Sequence, residues 1–238
     1  MLHDAEVARL AVHSARDRAV HRLRIGYMPA SLPAALPRAL HRLTTSMANL
    51  ATSLHPGTTT ELIDAVRGRH LDAAVISLPA PTGELRTTAL GVEYAIAALP
   101  VAHRHATAPA IRLDQMQPDR IIVLPREANR ALYDAILTAC HQGHLSPTLH
   151  EMTDGHLEPA LLAVASGTGM ALLPASAAER YLAPGVRFVA LADPQPTVTV
   201  AVISRRDTTH LPTAAFLRAI THAAPRTPAT RTTAAAAA

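Results

Sequence analysis

Ser31, Thr58, Thr59 and Arg126 are the side chains of this 238-residue chain that most readily suggest an anion site. In HRLRIGYMPAS (21–31), an apolar run from Leu23 to Tyr27 stops at Met28 and Pro29 and passes through Ser31 towards a helix. In HPGTTTELIDAV (55–66), Thr58 and Thr59 open a second helical stretch. A helix start offers unpaired N–H groups and a positive dipole end, which suit a carboxylate or a phosphate. The same hydroxyls also fit plain N-caps that bond only their own backbone. Pro125 and Arg126 close RIIVLPR (120–126), where a guanidinium could grip an anion through two parallel bonds or stand in solvent. Gly167, Thr168 and Gly169 form a tight turn that lets backbone approach a ligand, or that simply ends a helix.

Other chemistries find less support. The chain has 14 His, yet His103/His105 and His141/His144 have no Cys, Asp or Glu at ligand spacing, and no H-E-x-x-H occurs. No metal and no cofactor is therefore expected. All 22 basic residues are Arg, so a Schiff-base or P-loop lysine is excluded. Cys140 is the only cysteine, which rules out an intrachain disulfide or a C-x-x-C pair. It falls within a helical pattern and reads as a small packed side chain. No G-x-S-x-G marks a hydrolase, and an enzyme is not the expected reading.

The formal charge of +4 and pI near 10 resemble a nucleic-acid signature, but the Arg are dispersed and no aromatic platform accompanies them. Direct DNA binding by this chain is not expected. The N-terminal stretch has charges every few residues and no apolar h-region, and no run reaches membrane-spanning length. These features suggest a cytoplasmic protein without a membrane partner. At 49% apolar residues a core is easily built, chiefly from Ala, Val, Leu and Ile, since Trp is absent.

The elements that must position these residues alternate. A helix is expected over 3–20, with alanines at helical spacing. Strands are expected at 23–27, 49–55, 71–77 and 94–102, with helices at 33–47 and 59–69. The second half repeats the theme: strands at 120–125, 147–152, 169–174, 186–191 and 197–206, and helices at 128–142, 158–167, 176–182 and 211–223. LDAAVIS and RIIVLP are continuous apolar runs, as in strands buried on both faces of a parallel sheet. The alternation predicts an α/β protein. Lobe I is expected over 22–100 and 197–223, lobe II over 101–196, an N-terminal helix within 1–21 and a disordered tail over 224–238.

The order of motifs resembles the effector-binding domain of LysR-type transcriptional regulators. LRIGY leading to a Ser before the first helix is one mark, and HPGTTTELIDAVRGRHLDAAVI (55–76) is the strongest. LAVASGTGMALLPASAA (162–178), GVRFVALADP and AFLRAI continue the match, which runs from about residue 22 to 222. Arg69 and His70 stand between Gly68 and Leu71, one residue more than the family's minimal spacing.

The resemblance implies two Rossmann-like lobes joined by crossover strands, like type 2 periplasmic binding proteins, with a small organic anion as effector in the cleft. It also implies a homodimer, regulation of transcription, and effector contacts from Met28, Pro29, Ser31, Thr58, Thr59, Pro125, Arg126, Gly167 and Thr168. The family's winged helix-turn-helix has no counterpart here, and 3–20 resemble only the end of its linker helix, so DNA contact is expected to need a partner. A dimerisation module that modulates full-length regulators is the alternative, followed by an enzyme of the same two-lobed fold.

Overall fold

The computed structural model describes residues 21–31, 33–116, 120–143 and 148–224. The helix expected over 3–20, and the tail beyond Ala224, lie outside the described residues.

The first half builds a sheet from β1 (His21–Tyr27), β2 (Leu50–Pro56) and β3 (Ala73–Leu78), linked by α1 (Ala35–Ser46) and α2 (Thr59–Arg67). β1 pairs in parallel with both β2 and β3, so each helix makes a crossover connection. β4 (Arg86–Pro100) then runs through the middle of the molecule. The second half adds β5 (Ala110–Ile111), a 3-10 turn (Leu113–Met116), β6 (Ile121–Val123), α3 (Arg130–Gln142), β7 (Leu149–Glu151), α4 (Leu157–Ala165), β8 (Met170–Pro174), α5 (Ser176–Arg180) and β9 (Val186–Leu191). β10 (Thr197–Ser204) returns to the first sheet and α6 (Leu211–Ala223) closes on it.

Among the described residues the strands follow the order β2-β1-β3-β10-β4-β8-β6-β7, with β9 beside β4 and β5. β4 carries the turnover. Its residues Arg86 to Tyr94 pair antiparallel with β10, whereas Ala95 to Pro100 pair with β8 and β9. The exchange of partners thus falls between Tyr94 and Ala95, ahead of the boundary expected after residue 100. The strand begins earlier than its apolar segment suggested, because Arg86, Thr87 and Thr88 interrupt the apolar pattern and still pair with β10, beyond a register shift at Val200/Ala201.

Each half of the sheet is covered on both faces, which explains the continuous apolar runs. In the first half α1 and α6 cover one face, with Leu36, Leu43, Phe216 and Ile220 against Leu23, Ile25, Val75 and Val200. α2 covers the other, with Leu62, Ile63 and Val66 against Ile76 and Ile203. In the second half α3 and α4 take the two faces, through Leu132 and Ile136 on one side and Leu157, Leu161 and Val164 on the other. Complete burial of a side chain such as Phe216 contributes about 2–3 kcal/mol. Leu62 and Leu71 pack directly on the backbone of Gly26, where a Cβ would meet Leu62 Cδ2 at 2.5 Å and Leu71 Cδ1 at 2.7 Å and force both side chains to shift.

The register brings the carboxyl ends of four strands to one place. β1 and β3 run towards the crossover from one side, and β6 and β8 run towards it from the other. Pro174, at the end of β8, lies opposite Ala95. In open α/β sheets such convergent carboxyl ends form the ligand crevice.

Candidate functional site

Five buried polar residues line this seam: Ser31, Ser77, Glu93, Asn129 and Ser176. Ser31 follows β1 and Ser77 lies near the end of β3. Asn129 follows β6, Ser176 follows β8, and Glu93 belongs to the crossover strand itself. Ser77 and Glu93 leave the same face of the sheet. Ser77 pairs with Val200 and Glu93 with Val198, paired residues share a side, and residues two apart on a strand do too.

Hydrogen bonds tie the two halves across the seam. Ser31 Oγ donates to Glu93 Oε2 at 3.1 Å, and the Ser176 N–H donates to Glu93 Oε1 at 2.8 Å. Asn129 Nδ2 donates to Ser77 Oγ at 3.3 Å while its Oδ1 accepts from the Leu132 N–H and caps α3. Arg180 donates to the carbonyls of Pro29 and Ala30 at 2.9 and 3.2 Å, and Ala30 packs among the apolar residues of the second half. A cavity of about 10 Å³, lined by Pro125, Asn129, Leu132, Tyr133 and Pro174 among others, remains beside Asn129. That is room for one water at most. The seam is closed.

Burial pushes the Glu93 carboxyl above its ordinary range. The Ser176 N–H, the hydroxyls of Ser31 and Ser176 and the charge of Arg180 oppose this without cancelling it.

The residues named from sequence divide into three groups. Ser31, Met28, Pro29 and Pro125 are at or beside the seam. Ser31 does not cap the first helix: its N–H bonds the Met28 carbonyl, α1 begins four residues later, and its hydroxyl crosses to Glu93. Thr58 and Thr59 form the second group, at the start of α2. Thr58 is the N-cap in a full capping box with Glu61, and that pairing draws the Glu61 carboxyl down. The Thr59 hydroxyl donates to Met28 Sδ at 3.3 Å.

Arg126 and the Gly167–Thr168 turn form the third group, and neither joins Ser31. Arg126 binds both oxygens of Asp134 at 2.8 and 3.0 Å, so its bidentate partner is internal. Gly167, at φ +76°, and Thr168 close a Schellman cap: their N–H groups bond the carbonyls of Val164 and Ala163. This turn precedes β8 and is roughly 13 Å of strand away from the carboxyl end at Pro174. Gly169 serves packing there, since a Cβ on it would lie 2.6 Å from the Arg120 carbonyl oxygen, whereas Gly167 supplies the positive φ of the cap.

Sequence reasoning did not single out Ser77, Glu93, Asn129, Ser176 or Arg180. Glu93 did leave a trace, as the lone acid in GVEYAIAALP (91–100), on the inward parity of that strand. Among the described residues no group of three or more His, Cys, Asp or Glu could hold a metal. His103 and His105 pair with each other, their ring centroids 5.6 Å apart, and His144 lies outside the described residues. Cys140 is 1% exposed in the core under α3, and burial pushes its thiol up. No helix of the described residues is long and apolar enough to cross a membrane.

Comparison with known proteins gives a consistent result. The family model "LysR substrate binding domain" matches residues 16–225. A probable hydrogen peroxide-inducible genes activator of Mycobacterium leprae (strain TN) is 28% identical over 156 residues, 66% of this chain and 50% of its own length. The protein of the same description from Mycobacterium avium is 27% identical over 155 residues, covering 65% and 49%. The chain thus spans about half the length of these curated relatives. Among solved structures, the reduced OxyR regulatory domain from Pseudomonas aeruginosa is similar at TM-score 0.73 and 24% identity, over 85% of this chain and 98% of that one. CbnR, a LysR family transcriptional regulator, is similar at TM-score 0.76 and 16% identity, over 94% and 77%. At these identities the structures establish the shared fold alone.

Proposed function

The chain belongs to the LysR substrate-binding-domain family of transcriptional regulators, and on that basis we propose that it senses a small organic anion at the interlobe seam. The observation that carries this reading is the placement of buried polarity. Of nine buried polar or charged residues among those described, five gather where the carboxyl ends of β1, β3, β6 and β8 meet the crossover. A seam needed only for packing would be apolar, because burying polar groups costs free energy unless all are well bonded.

In this reading the ligand's anionic group takes the hydroxyl of Ser31 and the N–H of Ser176. Pro125 and Asn129 form the opposite wall, and Met28 with Thr59 backs the first. Opening of the seam admits the ligand, and its differential affinity for the lobe arrangements shifts their populations. A homodimer carries that shift to the transcriptional output.

The relatives described as probable activators of hydrogen peroxide-inducible genes prompt a second reading, oxidation of a thiol. The one cysteine argues against it. The reactive species is the exposed thiolate, and Cys140 is buried with its thiol pushed up.

The test is a thermal-shift titration of the chain against aromatic and aliphatic carboxylates. A binder at a hundred times its Kd should stabilise by about 2.7 kcal/mol, a rise of several degrees. Ser31→Ala, which removes one hydrogen bond to a charged group, should weaken that binder about tenfold or more. A well-folded chain that responds to no carboxylate favours the dimerisation module instead.

A further inference from the structure

A groove of about 650 Å³ lies on the outside of the first half, between α6 and the start of β4. It is open because β4 is the edge of the sheet over that stretch. Arg86 to Tyr94 pair with β10 on one side, and β8 and β9 join the strand only from Ala95 onward. Thr88 pairs with Val202, which packs under α6 with Phe216 and Ile220, and Arg86 leaves the same face two residues earlier. From α6, Leu217, Arg218 and Thr221 form the opposite wall, at the helical spacing that gathers side chains on one side.

The charge in this groove is one-sided. Among the described residues neither Arg86 nor Arg218 has a hydrogen-bond or ion-pair partner. Arg24, Arg126 and Arg180, by contrast, are each engaged by the chain's own oxygens. No acidic residue lines the groove, and α1 and α6, the two helices on this face, contain none. Asp207 adjoins the lining residue Thr208 but is held by Arg69 at 2.7 Å. The Thr208 hydroxyl is buried without a hydrogen-bond partner, a cost that an acceptor from outside would remove. A single solvated arginine is ordinary. Two without counter-charge, in a hollow of ligand size with an apolar patch at Leu217 and three threonines, form a binding surface for an anion.

We propose that this groove is a second ligand site, for a small, multiply charged oxyanion such as a phosphate ester or a polycarboxylate. Arg86 and Arg218 take the anionic oxygens, each guanidinium offering paired donors in the geometry those groups accept. The threonine hydroxyls complete the polar shell, and Leu217 meets the body of the ligand. The site is separate from the seam, since Arg86 lies seven residues, roughly 23 Å of strand, before Glu93. It needs no opening of the lobes. Occupancy ties α6 to β4, the strand that continues into the crossover.

The experiment is a thermal-shift titration of the full chain with sodium pyrophosphate and with sodium citrate, at ionic strength held constant with sodium chloride. Wild type should show a rise in Tm that saturates at millimolar probe or below with at least one of the two. Arg86→Gln and Arg218→Gln each remove a charged donor from an exposed position, so the fold is retained and binding should weaken about tenfold. Arg38→Gln, exposed on α1 and outside the groove, changes the net charge equally and should leave the response unaltered. Saturation by pyrophosphate alone assigns a phosphate ester, and by citrate alone a polycarboxylate. No rise overturns the proposal. So does a rise that never saturates or that Arg38→Gln weakens as much as the groove variants, since excluded anions stabilise any fold. A response lost in Ser31→Ala but kept in both groove variants belongs to the seam and equally overturns the groove. Failure here leaves the sensing reading standing, and a seam that binds no carboxylate leaves the groove standing.

Discussion

Among the described residues two carboxylates are buried, at opposite ends of the first half's strands, and they are treated in opposite ways. Asp72, just before β3, accepts from the Arg24 backbone at 2.8 Å and from its guanidinium at 2.9 and 3.3 Å. Arg205 stands 4.0 Å away, itself fixed on the carbonyls of Val66 and Leu71. Glu93, at the carboxyl-end seam, has two neutral donors and no guanidinium in contact. Burial tends to raise both carboxyls. At Asp72 the Arg24 bonds outweigh it and the net shift is downward, while at Glu93 burial prevails. The amino end is a finished joint. The carboxyl end is held by contacts that a ligand can replace.

Removal of Asp72 should have the largest effect on stability. Asp72→Asn breaks the Arg24 fork and leaves Arg205, whose side chain is 14% exposed, facing a neutral group. Stripping one partner from a fully buried pair costs about 3–5 kcal/mol. Arg24 is 42% exposed, so about 2–3 kcal/mol is expected here. The urea midpoint should fall with m unchanged, and carboxylate binding should be unaffected. A midpoint near that of wild type would remove the contrast between the two ends.

Gly169→Ala comes next, at the amino end of β8. Its Cβ would press on backbone, which cannot rotate away, and overpacking of this kind costs about 1–3 kcal/mol. From sequence this turn suits either backbone approach to a ligand or a plain helix end, and its geometry is that of a helix cap with Gly169 packed on the Arg120 carbonyl. Unchanged ligand affinity at lowered stability is the expected result, and a loss of affinity would restore the ligand role.

The difference between what was and was not legible follows from range. β1, β3 and β8 announce themselves because both faces are covered, and a strand covered on both faces is apolar throughout. The helices end where local chemistry says they should, at Thr58 for α2 and at Gly143 for α3. The seam is different. Ser77, Glu93 and Ser176 come from three separate connections, and each has an ordinary local reading as strand or turn. Only the pairing of Ser77 with Val200 and of Glu93 with Val198 sets them on one face. The Arg126–Asp134 pair, eight residues apart, joins a loop to the helix after it, and no helical or strand spacing predicts it.

Asn129 tests the seam from its other wall. Asn129→Ala loses the cap on Leu132 and the bond to Ser77, with a cost of about 1 kcal/mol from the cap. It should also change the carboxylate response, which neither amino-end substitution does. Equal stability loss with an unaltered response would place Asn129 with Asp72 as purely structural.

The smallest effect at any single pH, and the most informative in sign, belongs to Glu93→Gln. The folded-state pKa of Glu93 lies above its unfolded value, so the protonated side chain is the form the fold prefers. Its contribution is fully present below the unfolded pKa, about 4.3, and is lost as pH rises through the folded value. Gln stays neutral throughout. Wild type minus Glu93→Gln in unfolding free energy should therefore decline as pH is raised from about 4 towards neutrality. Asp72→Asn must give the reverse slope. The folded Asp72 carboxyl lies below its unfolded value, so its contribution is present at neutral pH and is lost as pH falls through the depressed value. Two urea series on the two variants measure both slopes. Opposite signs mean that the fold tolerates a charge at Glu93 and exploits one at Asp72. A rising difference at Glu93 would mean that the seam stabilises that carboxylate as firmly as Arg24 stabilises the other, and would erase the contrast between the two ends.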